Sequence, residues 1–299
     1  MTARRFIFVL AALALAPLAL AAAEKYTLKI EKPAQVGDTA KQTVTDNTEM
    51  KFTVRDGGGN VVQEKGEKKD TNAVYVETIL AKKADKRAHK MSRKYESITQ
   101  NKDGKKLDLD LVGKVVIIER KGMEHSFQYE GGGAVTGDTL DYLKEDFKNK
   151  DDEDRKMERA FMPKEAVAVG DSWKCDVADI AKSIGKDVAD AVDIDKATAT
   201  GKLIKVYPKG GATFGRIEIN LTLPMSRIGP ASANITADAG SAMVFKLTLD
   251  ACIDGSRTEG VLSGGMDVKI GGSLNQNGQE FTLKVTGTGK MSHAQAPLK

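Results

Sequence analysis

The stretch "KLIKVYPKGGATFGRIEINLTL", residues 202–223, alternates apolar and polar side chains on both sides of a Pro-Lys-Gly-Gly segment. A period of two marks a strand with one buried face. Ile217, Ile219, Leu221 and Leu223 share one side of that alternation. Two such runs around Pro208–Gly211 predict an antiparallel hairpin. The same style continues in "AMVFKLTLDACIDGSRTEGVLSGGMDVKI", residues 242–270, which turns near Asp254–Arg257 and aligns Met243, Phe245, Leu247 and Leu249. Asn277–Gly278 is a short hairpin signal, and the returning strand carries Phe281, Leu283 and Val285. Connections this short cannot hold helical crossovers, so a meander is expected.

The first half reads alike. Tyr26, Leu28 and Ile30 alternate, as do Met50, Phe52 and Val54, then Val74, Val76 and Leu80. After the turn "NKDGKK", Leu107, Leu109 and Leu111 alternate as a further strand, followed by the continuous apolar run "KVVIIER" and by Phe127 and Tyr129. Between the halves the period lengthens: Leu140, Leu143 and Phe147 stand at i, i+3 and i+7, and Met157 and Phe161 at i and i+4. That spacing predicts helix, with Asp138 as N-cap and Pro163 past its end. "VADIAKSIG", residues 177–185, is a second helix candidate ending at Gly185. The expected fold is mainly β: antiparallel, curved meander sheets in two related half-barrel-like units, with a mid-chain helical segment. The expected division is a leader at 1–23, a β unit at 24–133, a helical connector at 134–163 and a second β unit at 164–299.

The chain opens with Arg4 and Arg5, an apolar run from Phe6 to Leu20, and an A-x-A site at Ala21 and Ala23. This is the layout of a secretory signal peptide, and the run is shorter than the ~20 residues a spanning helix needs. Export to the periplasm or beyond is expected, with no transmembrane segment in the mature chain.

The full chain has a formal net charge of +4, too balanced to indicate nucleic acid. Residues 24–133 carry 22 basic against 18 acidic side chains, 134–200 carry 11 against 17, and 201–299 carry 11 against 7. The basic run "KKADKRAHKMSRK", 82–94, includes Lys82, Lys83, Lys86 and Arg87. It suits an anionic envelope partner or a charged edge strand that resists aggregation.

Motifs for chemistry are missing. His89, His125 and His293 lack a second ligand at metal spacing. "GVLSGG" has Val261 where a nucleophile elbow around Ser263 needs Gly. "GGATFGR" ends in Arg216 and lies in a hairpin, not before a helix as a phosphate loop must. "DDEDR", 151–155, lacks the spacing of a calcium loop. No catalytic residue, metal or cofactor is assigned. Cys175 and Cys252 are the two cysteines. An even pair in an exported chain invites a disulfide, whereas the strand pattern turns one thiol inward and the other outward.

"VGDSWKCDV", 169–177, repeats the pattern of "VGDTAKQTV", 36–44: V-G-D-[ST]-x-K-x-x-V. Val169, Gly170, Asp171, Ser172 and Trp173 read as a tight turn leading into a core strand, with Ala40 in place of the Trp in the earlier copy. An internal duplication explains the echo. The longer stretch "FMPKEAVAVGDSW", with Pro163, Val167, Val169, Gly170, Asp171, Ser172 and Trp173 in order, resembles the mid-chain P-x-x-x-V-x-V-G-D-S-W signature of a family of exported bacterial β-rich proteins of unknown function. "ATATGKLIKVYPKGGATFGRIEI" resembles the hairpin that follows that signature, so the likeness covers residues 161–223. "ADIAKSIG" then reads as a local insertion. The resemblance implies an exported β fold and no activity, substrate or catalytic residue. The leading expectation is a non-enzymatic envelope protein binding an apolar or amphipathic ligand. The alternatives are an interaction module engaging an anionic partner through 82–94, and a hydrolase with a site no motif announces.

Overall fold

A computed structural model describes residues 23–30, 32–33, 35–82, 88–122, 124–148, 159–229, 235–276 and 278–298. Its strands in chain order begin with β1 (Lys25–Tyr26), β2 (Thr39–Asp56), β3 (Val61–Lys82), β4 (Ala88–Lys102) and β5 (Lys105–Lys106). β6 (Val115–Lys121) and β7 (Glu124–Tyr129) precede helix α1 (Gly137–Asp146). β8 (Val167–Ala168) and β9 (Ser172–Lys174) lead to helices α2 (Val177–Ile184) and α3 (Lys186–Ala191). The rest is β10 (Thr198–Lys209), β11 (Ala212–Pro224), β12 (Arg227–Ile228), β13 (Ile235–Ala237), β14 (Ala242–Cys252), β15 (Gly260–Gln276) and β16 (Gln279–Pro297).

Fourteen strands form one open antiparallel sheet in the order β7-β6-β4-β3-β2-β16-β15-β14-β11-β10-β9, with β5, β12 and β13 off that path. The long strands follow one another in chain order, as in a meander, with the short β5, β12 and β13 set aside, except at the centre. There the last strand lies against the first long one, from Phe281↔Asp56 to Pro297↔Ala40. The β10–β11 hairpin closes at Lys209↔Ala212 over Gly210 and Gly211, with φ of 57° and 80°. Two successive positive φ angles define the turn whose twist matches a hairpin, which glycine adopts without strain.

One face of the sheet carries two packed clusters. Ile217, Ile219, Leu221 and Leu223 meet Val268 and Ile270 in the first, beneath Ile180 of α2, Phe161 and Leu28. α2 is capped by Asp176, whose carboxylate accepts the Asp179 N–H at 3.1 Å. In the second, Tyr75, Tyr95, Ile98, Val116 and Ile118 lie under Tyr142 and Leu143 of α1 and Phe147 at its C-cap. The expected α1 face is present, but its N-cap is Thr136, and Asp138 sits in the first turn. Met157 and the acidic run 151–155 lie outside the described residues, as do the leader at 1–22 and Asn277.

Leu107, Leu109 and Leu111 do not form the strand their alternation predicts. After β5 the chain leaves the edge of β4, which β6 takes instead from Lys94↔Val115 to Lys90↔Glu119. The excursion is held by Thr139, whose hydroxyl accepts the Asp110 N–H at 2.9 Å, and it drives Leu111 fully into the second cluster.

Arg93 ties α1 to the sheet. Its side chain is 2% exposed, yet it is charged, which demands matched partners. The guanidinium donates to Glu77 at 2.9 and 3.1 Å, to Asp146 of α1 at 2.6 Å and to the Tyr95 hydroxyl at 3.1 Å. It also lies 4.0 Å from the Tyr75 ring centroid and 4.6 Å from that of Phe147. These anions and rings outweigh burial and hold its pKa well above the ordinary value. Arg93→Met should lower unfolding free energy by about 3 kcal/mol, the scale for stranding one side of a buried pair. Urea denaturation followed by circular dichroism checks this, and a loss below about 1 kcal/mol would show that solvent already screens the carboxylates.

Candidate functional site

The face opposite the two clusters carries a cleft of about 500 Å³. Its floor follows one cross-strand row, Arg216↔Asp250↔Val261↔Ala294↔Thr43, running through β11, β14, β15, β16 and β2. The cleft touches all five of these strands, and Tyr207 and Lys209 of β10 besides. The small residues Gly260, Ala294 and Ala296 create depth, while longer side chains build the rim.

Asp250 organises one wall. It accepts from Arg216 Nε at 2.9 Å, lies 2.7 Å from a second guanidinium nitrogen, and accepts the Tyr207 hydroxyl. Burial pushes its carboxyl up, but the Tyr207 and Arg216 hydrogen bonds and the charges of Arg216 and Lys205 prevail and hold it below the usual carboxylate range. Its hydrogen bond to Asp250, followed by burial, pushes the Tyr207 phenol up to about 12. Beside it, Lys209 pairs with Glu259 at 2.7 Å, and Arg257 reaches Glu259 at 3.6 Å and the Gly210 carbonyl at 2.6 Å. Lys41, across the cleft, pairs with Glu96 at 2.6 Å.

At neutral pH the wall presents the protonated Tyr207 phenol bound to the Asp250 carboxylate, with the Lys209–Glu259 pair beside it. The apolar side chains of Val261, Ala294 and Ala296 lie among these charged groups. Of the residues that build it, Arg216, Val261 and Ser263 were named from sequence, each in a motif that failed, whereas Tyr207, Asp250 and Glu259 come together only through strand register.

The V-G-D segments are turns with the same bonds. Gly170 has φ 95° and Gly37 φ 90°. Gly170 N–H donates to the Leu203 carbonyl at 2.7 Å, and Gly37 N–H to that of Ile79 at 2.8 Å. Asp171 accepts the Ala168 N–H at 2.8 Å, and Asp38 that of Gln35 at 2.8 Å. Leu203 and Ile79 return their own N–H groups to the Asp171 and Asp38 carbonyls at 3.1 and 3.0 Å. Val169 is exposed, Ser172 opens β9, and Trp173 packs against the first cluster. The indole donates to the Phe161 carbonyl at 2.8 Å and lies over Gly201, where an added Cβ would stand 2.3 Å from the ring.

Cys175 and Cys252 are free thiols. Cys175 belongs to the first cluster, whereas Cys252 packs with Phe214 and Ala212 on the other face. The bridge their even number invites is not formed, and the placement of the two thiols on opposite faces is the physical reason. Of the basic run, Lys82 ends β3, while Lys83, Lys86 and Arg87 lie outside the described residues. Among the described residues no cluster of three His, Cys, Asp or Glu side chains is placed to hold a metal ion.

No family model matches the chain, and no curated protein matches it. Among solved structures, an outer membrane channel from Pseudomonas putida F1 aligns over 89% of this chain and 97% of its own, at 9% identity and a TM-score of 0.18. A likeness that faint carries no argument about fold or role. Among the described residues no helix is long and apolar enough to cross a membrane.

Gly201→Ala should destabilise the protein by about 1–3 kcal/mol, the scale of an overpacked core. Fluorescence of Trp173, the only tryptophan, reports both the loss and the displaced ring. A second expectation concerns acid. The Ser256 side chain, together with the Thr213 and Ser256 amides, holds the Asp254 carboxyl well below the usual range. A depressed folded-state pKa contributes stability that is complete above the unfolded value of about 3.9. That contribution is lost as pH falls toward the folded value. Unfolding measured between pH 5 and 2, as flagged by the carboxylate range of about 2–5, should therefore show an acid limb that Asp254→Asn flattens.

Proposed function

We propose that this chain is exported and that it binds an amphipathic ligand with an acidic head in the cleft of its curled sheet. The observation that carries the proposal is the meeting of apolar side chains at Val261, Ala294 and Ala296 with cations at Lys41, Lys209 and Arg216 around about 500 Å³. Ligand sites of this size commonly combine an apolar lining with a few convergent polar groups. The role we read is non-enzymatic binding, in which the Tyr207–Asp250 hydrogen bond fixes one wall of the cleft. The leader at 1–23 and the likeness of residues 161–173 to the exported-family signature support the envelope as its place of work.

Mature protein recovered from the envelope of its source cell should begin after Ala23, which N-terminal mass spectrometry checks. Purified protein should bind a fluorescent long-chain fatty acid saturably. Ala294→Trp, which fills the floor, should weaken that binding at least tenfold while leaving the melting temperature near that of the parent. Failure of acyl probes to saturate, or binding unchanged in the Trp variant, would overturn the assignment.

A further inference from the structure

Charge is unevenly spread along the cleft on the polar face. At the β2 end, Lys41 is matched one to one by Glu96 at 2.6 Å. The β10–β11 end is different. There Lys205, Tyr207 and Lys209 alternate onto one face of β10, and Lys205 stands opposite Arg216, which extends the row through Asp250, Val261 and Ala294. Arg257 reaches this end from the turn between β14 and β15.

Four cations here meet two carboxylates of the cleft. Asp250 is held by Arg216 at 2.7 Å and by the Tyr207 hydroxyl. Glu259 is shared between Lys209 at 2.7 Å and Arg257 at 3.6 Å. Lys205 is exposed and pairs with no carboxylate among the described residues; its ammonium lies 4.5 Å from the Tyr207 ring centroid. Two further carboxylates nearby are spoken for. Asp254 accepts the Thr213 and Ser256 N–H groups at 2.7 and 2.9 Å, and Glu218 stands opposite Lys202 across the β10–β11 ladder. Lys205, Lys209, Arg216 and Arg257 against Asp250 and Glu259 leave two positive charges over.

A carboxylate head would answer one of those charges. A phosphate monoester carries about −1.5 to −2 at neutral pH and offers three strong acceptor oxygens. Guanidinium donors such as that of Arg257 suit phosphate in particular. Thr248 and Ser263, paired across β14 and β15 and lining the same cleft, add hydroxyl donors beside Val261. From this end the apolar side chains of Val261, Ala294 and Ala296 lead toward β2. We infer that the acidic head of the amphipathic ligand is a phosphate monoester, seated at the β10–β11 end of the cleft by Lys205, Lys209 and Arg257. The inference rests on the binding role proposed above and names the chemistry of its ligand.

Displacement of the fluorescent fatty acid from the full-length mature protein tests it, with competitors kept below their micelle concentrations. Dodecyl phosphate should displace the probe at a concentration at least tenfold lower than dodecanoate. It should show the same advantage over its own methyl ester, which keeps the tetrahedral head and loses one charge, and over inorganic phosphate, which lacks the chain. Lys205→Gln and Arg257→Gln should each weaken dodecyl phosphate about tenfold and dodecanoate no more than about threefold. Arg257 also holds the Gly210 carbonyl, so Lys205→Gln, which removes no hydrogen bond of the fold, is the decisive variant and should keep the parent's melting temperature. Equal displacement by dodecanoate or by the methyl ester, or an undiminished preference in Lys205→Gln, would overturn the phosphate head and leave the binding role standing. Inorganic phosphate as effective as dodecyl phosphate would overturn the inference as one about an amphipathic ligand. A probe that never binds would instead overturn the binding role, and this inference with it.

Discussion

The pairing of β16 with β2 is the constraint on which the architecture rests. The other ladders join strands close together in the chain, the widest step being β11 to β14 past the short β12 and β13. The β2–β16 ladder alone makes one sheet of the two halves. Its register also decides which side chains share a face, since a slip of one residue would turn each of them over. In the observed register, Val44 of β2 meets the second cluster and Met50 meets the first. Both are even-numbered, so both packed clusters lie on the same side of the sheet. Such distant partners carry a closure cost that grows slowly with loop length, but they delay folding because no local contact guides them.

With the clusters on one side, the other side is free to be polar. There the alternating positions are Lys, Thr, Asp, Glu and Asn. A concave floor arises only where Gly260, Ala294 and Ala296 interrupt the long side chains. On the packed side, α1 is held by its apolar stripe and by Arg93, which meets a carboxylate of the helix and one of β3 around a single guanidinium. That arrangement fixes how closely the helix approaches the sheet.

Local pattern revealed much of this in advance. The period-two runs at 202–223 and 242–252 are strands in the anticipated orientation, with Ile217, Ile219, Leu221 and Leu223 facing the core. α2 lies at 177–184, as its spacing indicated. Alternation says which residues share a face but not which strand lies alongside, so the β2–β16 pairing was not legible. It also misled at 107–111, where three leucines in register belong to an irregular crossing. Arg93 looked like one more cation in a basic run, because no local feature distinguishes a buried arginine from a solvated one. Tyr207, Asp250 and Arg216 converge from three strands, and the set cannot be recognised before the register is known.

The two thiols give the folded sheet a further property. Burial pushes the Cys175 thiol up to about 11, so little of the reactive thiolate exists at neutral pH. Cys252 is enclosed on the opposite side by Phe214 and Ala212. An intact sheet keeps both sulfurs from oxidants, from alkylating reagents and from each other. Melting removes all three barriers at once, so covalent chemistry at these two atoms becomes a clock for the opening of the sheet. In an oxidising compartment a chain that opens for long acquires a cross-link the native form cannot accommodate. For this protein, lifetime in such surroundings is then governed by the rate of opening and not by the equilibrium alone.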